Sequence, residues 1–240
     1  MTGQYVTFID SDDMISPYFV SRLVKAIEGD NKIDVAICKY QPFSDGNATE
    51  FKDENCDSTL MTGKAGLQKV MQQDGFDVSA WGKLYKSSFF KDMQFREGII
   101  YADLDLIPLL LLKANECIFL NDKLYYYRQN INGIINSRYS GKEMDVVSIS
   151  HSLMREFENQ DSDLKSAVCV KLFSTVSAIV KKMHAHNVVI EEDLKLLINL
   201  VKLYNREIKI FGIKRPKALI MILVYRINPQ FYIWILRTAG

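Results

Sequence analysis

Near residue 141 the spacing of apolar residues changes, and that change divides the folding options of the whole chain. Before it, runs rich in β-branched and aromatic residues alternate with segments of helix length. Residues 5–9 read as a short buried strand and 17–28 as a helix carrying Phe19, Leu23 and Ile27 on one face. Residues 33–40 read as a second buried strand and 63–73 as a second helix, with a polar, turn-rich excursion at 41–59 between them. Residues 116–128 read as two short strands ending in the aromatic run Tyr125-Tyr126-Tyr127-Arg128. After the change, 141–158, 162–186 and 190–210 all place apolar residues at helical spacing. The expected organisation is an α/β portion over 1–140 followed by a helical extension over 141–240.

Composition narrows the class. With 48% hydrophobic and 25% charged residues in 240, the chain has the make-up of a globular protein. Its four cysteines (Cys38, Cys56, Cys117, Cys169) form no C-x-x-C pair, so reduced thiols are expected in place of a zinc site or a disulfide framework. His184 and His186 stand two apart on an expected helix and face different sides, which makes them poor co-ligands. Residues 1–15 are acidic where a secretory signal would be basic, and no apolar run reaches spanning length. A cytoplasmic location follows as the expectation, and no nucleic-acid partner is expected. The net charge of +1 conceals an asymmetry: 206–240 hold seven basic residues and one acid, giving +6, so 1–205 carry −5.

The chemistry-bearing stretch is YVTFIDSDDM, residues 5–14, where a strand runs into Asp10, Asp12 and Asp13. Like charges gathered at a strand end repel unless a cation or hydrogen-bond donors compensate them. One reading is a solvated turn, with Asp13 or Ser16 before Pro17 starting the next helix. The other is a hard-cation site, because Mg²⁺ and Mn²⁺ prefer carboxylate oxygens and leave positions for phosphate.

Four motifs in order, GQYVTFIDSDDMISP, AWGKLYKSSFF, FREGIIYADLDLIP and LYYYRQNINGI, resemble the second half of family 2 glycosyltransferases of bacterial polysaccharide assembly. The fold this implies is the C-terminal half of a GT-A, Rossmann-like domain followed by a helical region. The resemblance makes Asp12 the direct ligand of Mn²⁺ or Mg²⁺, with Asp10 nearer the nucleotide ribose and Asp13 in support. It makes Asp103 the base of an inverting transfer in which the acceptor hydroxyl loses its proton; the family's preceding Glu is Ala102 here, and Asp105 is the second candidate. Trp81 and Lys83 match a W-x-K element near the donor and acceptor pocket, with packing as the alternative role. Arg128 matches the close of the catalytic sheet as a phosphate contact or a structural residue, and Gly133 stands where the family usually has Ser.

The implied partners are a nucleotide-sugar donor and a glycan or lipid-linked acceptor. The family's N-terminal nucleotide-binding half has no counterpart in these residues. The expectation is therefore a truncated start, or another chain that supplies that half, with transfer impaired in this chain alone. A non-catalytic remnant or binding module is the first rival. A Mg²⁺-dependent phosphotransferase is the second, disfavoured because Met14-Ile15 follows the acids where such enzymes place Thr. The apolar runs 218–225 and 231–236, separated by Arg226, Asn228, Pro229 and Gln230, are expected either to pack as a helix pair or to lie on a membrane. In the second case Phe231, Tyr232 and Trp234 sit at interface depth and Lys214, Arg215, Lys217, Arg226 and Arg237 face headgroups.

Overall fold

The apolar run Ile33–Cys38 forms the middle of a mixed sheet in this computed structural model, which describes residues 2–44, 51, 57–73, 75–129, 137–210, 213 and 215–238. The chain divides into two units: Met1–Arg96 with Leu106–Asn136, and Glu97–Asp105 with Ser137–Gly240.

The first unit is α/β, as expected. Its strands are β1 (Tyr5–Thr7), β2 (Met14–Ile15), β3 (Ile33–Phe43), β4 (Ser58–Thr62), β5 (Lys83–Lys86) and β6 (Glu116–Arg128). They are ordered β1-β5-β3-β6-β2, with β4 also pairing β6. β3 and β6 are parallel; β1 and β3 both run antiparallel to β5, so β1, β3 and β6 share a direction. Residues 8–13 therefore pass from β1 on one side of the sheet to β2 on the far side of β6. Strand β1 is shorter than the expected 5–9 and only half-buried, and Ile9 is exposed. Among the described residues it lies at the sheet edge.

Alternation along β3 explains the layering. Ala36 and Cys38 share a core with Phe19, Leu23 and Ile27 of helix α1 (Phe19–Ile27). On the other face, Cys117 and Phe119 of β6 back helix α2 (Gly63–Met71). Thr62 caps α2 by accepting from the Ala65 amide at 3.3 Å. Gly63 is required there, since a Cβ would lie 2.1 Å from the Ala114 carbonyl oxygen. That carbonyl follows helix α3 (Ala102–Lys113), whose first residues belong to the second unit.

The second unit is helical: α4 (Asp145–Glu156), α5 (Ser162–Ala185), α6 (Glu191–Glu207), α7 (Pro216–Ile227) and α8 (Pro229–Thr238). Its core lies along α5, which α4, α6 and α8 contact. Tyr204 of α6 donates to Ser150 of α4, and Tyr232 of α8 shares a 2.7 Å hydrogen bond with Ser177 of α5. Glu97–Asp105 join this unit because the Ile100 amide donates to the Asp145 carboxylate at 2.9 Å. Pro229 does interrupt the tail: α7 ends at Ile227, and Asn228 caps α8 by accepting from the Gln230 and Phe231 amides. Among the described residues no helix is long and apolar enough to cross a membrane.

Candidate functional site

Asp10 to Asp13 form a tight turn, closed by the Asp13 amide donating to the Asp10 carbonyl at 3.1 Å. Asp10 and Asp12 are exposed, whereas Asp13 is half-buried and faces the end of β6. Both oxygens of Asp13 are engaged: the Tyr125 hydroxyl donates to one at 2.6 Å and the Arg128 amide to the other at 2.7 Å. The same Tyr125 hydroxyl accepts from the Asp10 amide at 3.1 Å. Arg128 also donates from Nε to the Asp12 carbonyl at 2.6 Å. Asp13 is thus no helix cap, and neither is Ser16: α1 starts after Tyr18 without a side-chain cap, and the Ser16 hydroxyl accepts from the Tyr18 amide at 3.2 Å in the turn before it.

Electrostatics follow from this placement. Burial pushes the Asp13 carboxyl above its ordinary value, and neighbouring Asp12 adds to the rise, although the Tyr125 and Arg128 hydrogen bonds oppose it. Burial and then the charges of Asp13, Asp12 and Asp10 raise Tyr127. Tyr127 therefore senses all three acids. The guanidinium of Arg128 rests over the Phe43 ring at 4.8 Å from its centroid, beside the acidic turn.

The expected W-x-K residues sit under this turn. Trp81 is 8% exposed, with its ring stacked on Tyr125 at 4.5 Å and on Tyr127 at 5.5 Å. Little of that ring is left to meet a sugar. Lys83, expected at phosphate or the base, is 1% exposed, and its ammonium donates to the carbonyls of Asp77 (2.7 Å), Ser79 (2.5 Å) and Trp81 (3.3 Å). Three acceptors match the three donors of an ammonium, so the observed work of Lys83 is holding the 77–81 loop. Gly82, at φ +69, lets that loop turn into β5.

In the sequence Tyr127 stands out only with Arg128, at the close of the sheet, and Tyr125 only as part of the aromatic run. The available signal was alternation: in a strand, Tyr125 and Tyr127 share a face and Tyr126 takes the other. Tyr126 does pair with Phe51 instead, at 5.0 Å. Asp103 and Asp105 both lie in the first turn of α3, within the second unit, at the positive end of the helix dipole. Tyr101, just before them, holds φ 64, a strained value for a non-glycine residue. Gly133 and Lys214 lie outside the described residues.

The turn fits a hard divalent cation in one specific sense. Among the described residues no three acidic, histidine or cysteine side chains gather as a protein-only cage. Mg²⁺-type sites commonly use one or two carboxylates and take their remaining oxygens from phosphates and water. Exposed Asp10 and Asp12 suit that donor set, with Asp13 withdrawn to fix the turn.

Residues 1–94 match the family model "Glycosyl transferase family 2". That span contains Asp10, Asp12, Trp81 and Lys83, whereas Asp103 and Arg128 lie beyond it. Among curated proteins the chain is similar to "Glycosyltransferase GlyA" of Streptococcus pneumoniae, 33% identical over 53% of this chain and 19% of the relative. It is also similar to "Glycosyltransferase GlyG" of the same organism, 25% identical over 67% of this chain and 54% of the relative. The "Uncharacterized glycosyltransferase EpsJ" of Bacillus subtilis is 25% identical over 57% of this chain and 41% of its own length. The matched stretches thus span from about a fifth to about half of these relatives.

Proposed function

We propose that the Asp10–Asp13 turn, within the residues 1–94 that match the glycosyl transferase family 2 model, receives the diphosphate of a nucleotide-sugar whose sugar passes to a glycan or lipid-linked acceptor. The observation that carries this reading is the fixing of Asp13 by Tyr125 and Arg128, which holds the turn while Asp10 and Asp12 stay exposed. Asp12, with Asp10 beside it, would hold Mn²⁺ or Mg²⁺. The bound ion would supply Lewis-acid neutralisation of charge on the diphosphate leaving group.

The protein's own side chains do the rest. Arg128, tethered to the turn through Nε, is a cation beside the place assigned to the phosphates. Tyr127 presents a phenol kept in its neutral, donating form by burial and the three acids. Asp103 is assigned the proton of the attacking hydroxyl through the motif it matches. Attack opposite the leaving diphosphate would invert the sugar's configuration.

The test is a panel of nucleotide-sugars with Mn²⁺, run on the chain with the expected N-terminal nucleotide-binding half supplied. Transfer lost in Asp12→Ala, and lost in Asp103→Asn with donor binding retained, is the expected result. Unchanged transfer in either variant would overturn the role given to that residue. A second reading, a donor-binding module without turnover, is favoured by Ala102 standing in place of the family's Glu; donor binding without transfer by the unaltered protein would select it.

A further inference from the structure

The tail helices bury one apolar face and present another. In α7, Ala218, Ile222 and Tyr225 are buried, and in α8 so are Tyr232 and Leu236. Tyr232 is only 2% exposed and bonded to Ser177, so it is core and not the interface residue expected from the sequence. The opposite face of α7 shows Ile220 (59% exposed), Leu223 (36%) and Ile227 (83%) at helical spacing. The following helix, α8, exposes Phe231 (48%) and Trp234 (56%), whose rings stack on each other at 5.4 Å. Among the described residues α6 also exposes Leu196 (48%) and Leu203 (36%), seven apart, but that helix carries Glu191, Glu192, Asp193 and Glu207.

We propose that this outer face of α7 and α8 docks on an anionic lipid surface. Charge selects the occupant. No Asp or Glu follows Glu207, and exposed Lys217 and Arg237 accompany the stripe. Arg226, also expected at headgroups, is instead tied to Asn205 and to the Ile208 carbonyl at 2.6 Å, closing the end of α6. A second copy of the chain fits the face poorly, because a symmetric pairing would set Lys217, Arg226 and Arg237 of the two copies against each other with no acid in α7 or α8. Anionic headgroups supply the missing negative charge, at about fivefold in affinity per basic residue near the surface. Aromatic rings beside basic residues suit the headgroup boundary. At about 1.5 Å per residue, the 12 residues of α7 reach too little to span a bilayer, so the helices would lie along it.

The chain's two tryptophans make the test sharp, since Trp81 is 8% exposed and Trp234 56%. Phosphatidylglycerol-rich vesicles at low salt should sediment the full chain and blue-shift its fluorescence, which for the most part reports Trp234. Phosphatidylcholine vesicles and high salt should weaken both effects. The surface double variant Ile227→Ser/Trp234→Ser should lose about tenfold or more in bound fraction, with an unchanged melting curve. Three results would overturn the proposal: no sedimentation with anionic vesicles, equal binding by the double variant, or concentration-dependent self-association that shifts Trp234 without lipid.

Discussion

Replacing Tyr125 by Phe deletes one oxygen and two hydrogen bonds, one to the Asp13 carboxylate and one from the Asp10 amide. The half-buried Asp13 oxygen loses its donor, so Tyr125→Phe should cost about 1–3 kcal/mol in urea unfolding. Nucleoside diphosphate binding should weaken in parallel if the turn loosens; an unchanged unfolding midpoint would show that the hydroxyl contributes nothing. Asp13 also leaves a pH signature. Burial raises its carboxyl above the ordinary value of 3.8, so the folded state holds the proton more tightly than the unfolded one. Stability from this group is fully present below pH 3.8 and is lost as pH rises through the folded value. Asp13→Asn should flatten that component in unfolding curves taken across the acid range, and an unaltered pH profile would contradict it. Asp10, Asp12, Asp13 and Arg128 stood out in the sequence, but their pairing did not, because Tyr125 and Arg128 lie more than a hundred residues from the acids in the chain.

At the scale of elements, patterning revealed the helices well and the long strand poorly. Helices near 17–28, 63–73 and 162–186 appear close to their expected bounds, since each carries a continuous apolar face. The expected pair of strands at 116–128 is the single strand β6, because Asn121-Asp122-Lys123 resembles a turn in sequence. Asp122 is in fact 2% exposed and paired with Arg22 of α1, so a polar residue sits inside the strand without an unmet charge. Only the fold brings Arg22 and Asp122 together. The second unit holds a comparable device: Glu143, 2% exposed in its side chain, meets Lys182 of α5 at 2.7 Å. Burial alone would raise the Glu143 carboxyl, but hydrogen bonds from Lys182 and Ser140 outweigh it and hold the group below 4.5. Lys182→Met should leave that carboxylate buried and unpaired, at a cost of about 3 to 5 kcal/mol in chemical denaturation. Adding Glu143→Gln should restore much of the loss, and a double variant no better than the single would refute a role for the pair.

For the whole molecule, the sequence separated a mixed α/β portion from a helical one because a period of two and a period of 3.6 are different signals. The observed units part at 136/137 and not at 140/141, and Glu97–Asp105 go with the helices. No periodicity announces that exchange, which depends on Asp145 receiving the Ile100 amide. Charge is segregated at the same scale, with a −5 body carrying the exposed Asp10 and Asp12 and a +6 tail carrying the apolar stripe. On the proposed function, the acidic turn of the body binds a divalent cation together with a diphosphate. Calorimetric titration of a nucleoside diphosphate into the protein, with and without Mn²⁺, tests this directly. The expected result is Mn²⁺-dependent binding that is abolished in Asp12→Ala and unchanged in Asp57→Ala, an exposed acid beside β4. Equal heats from the two variants, or binding indifferent to Mn²⁺, would contradict it.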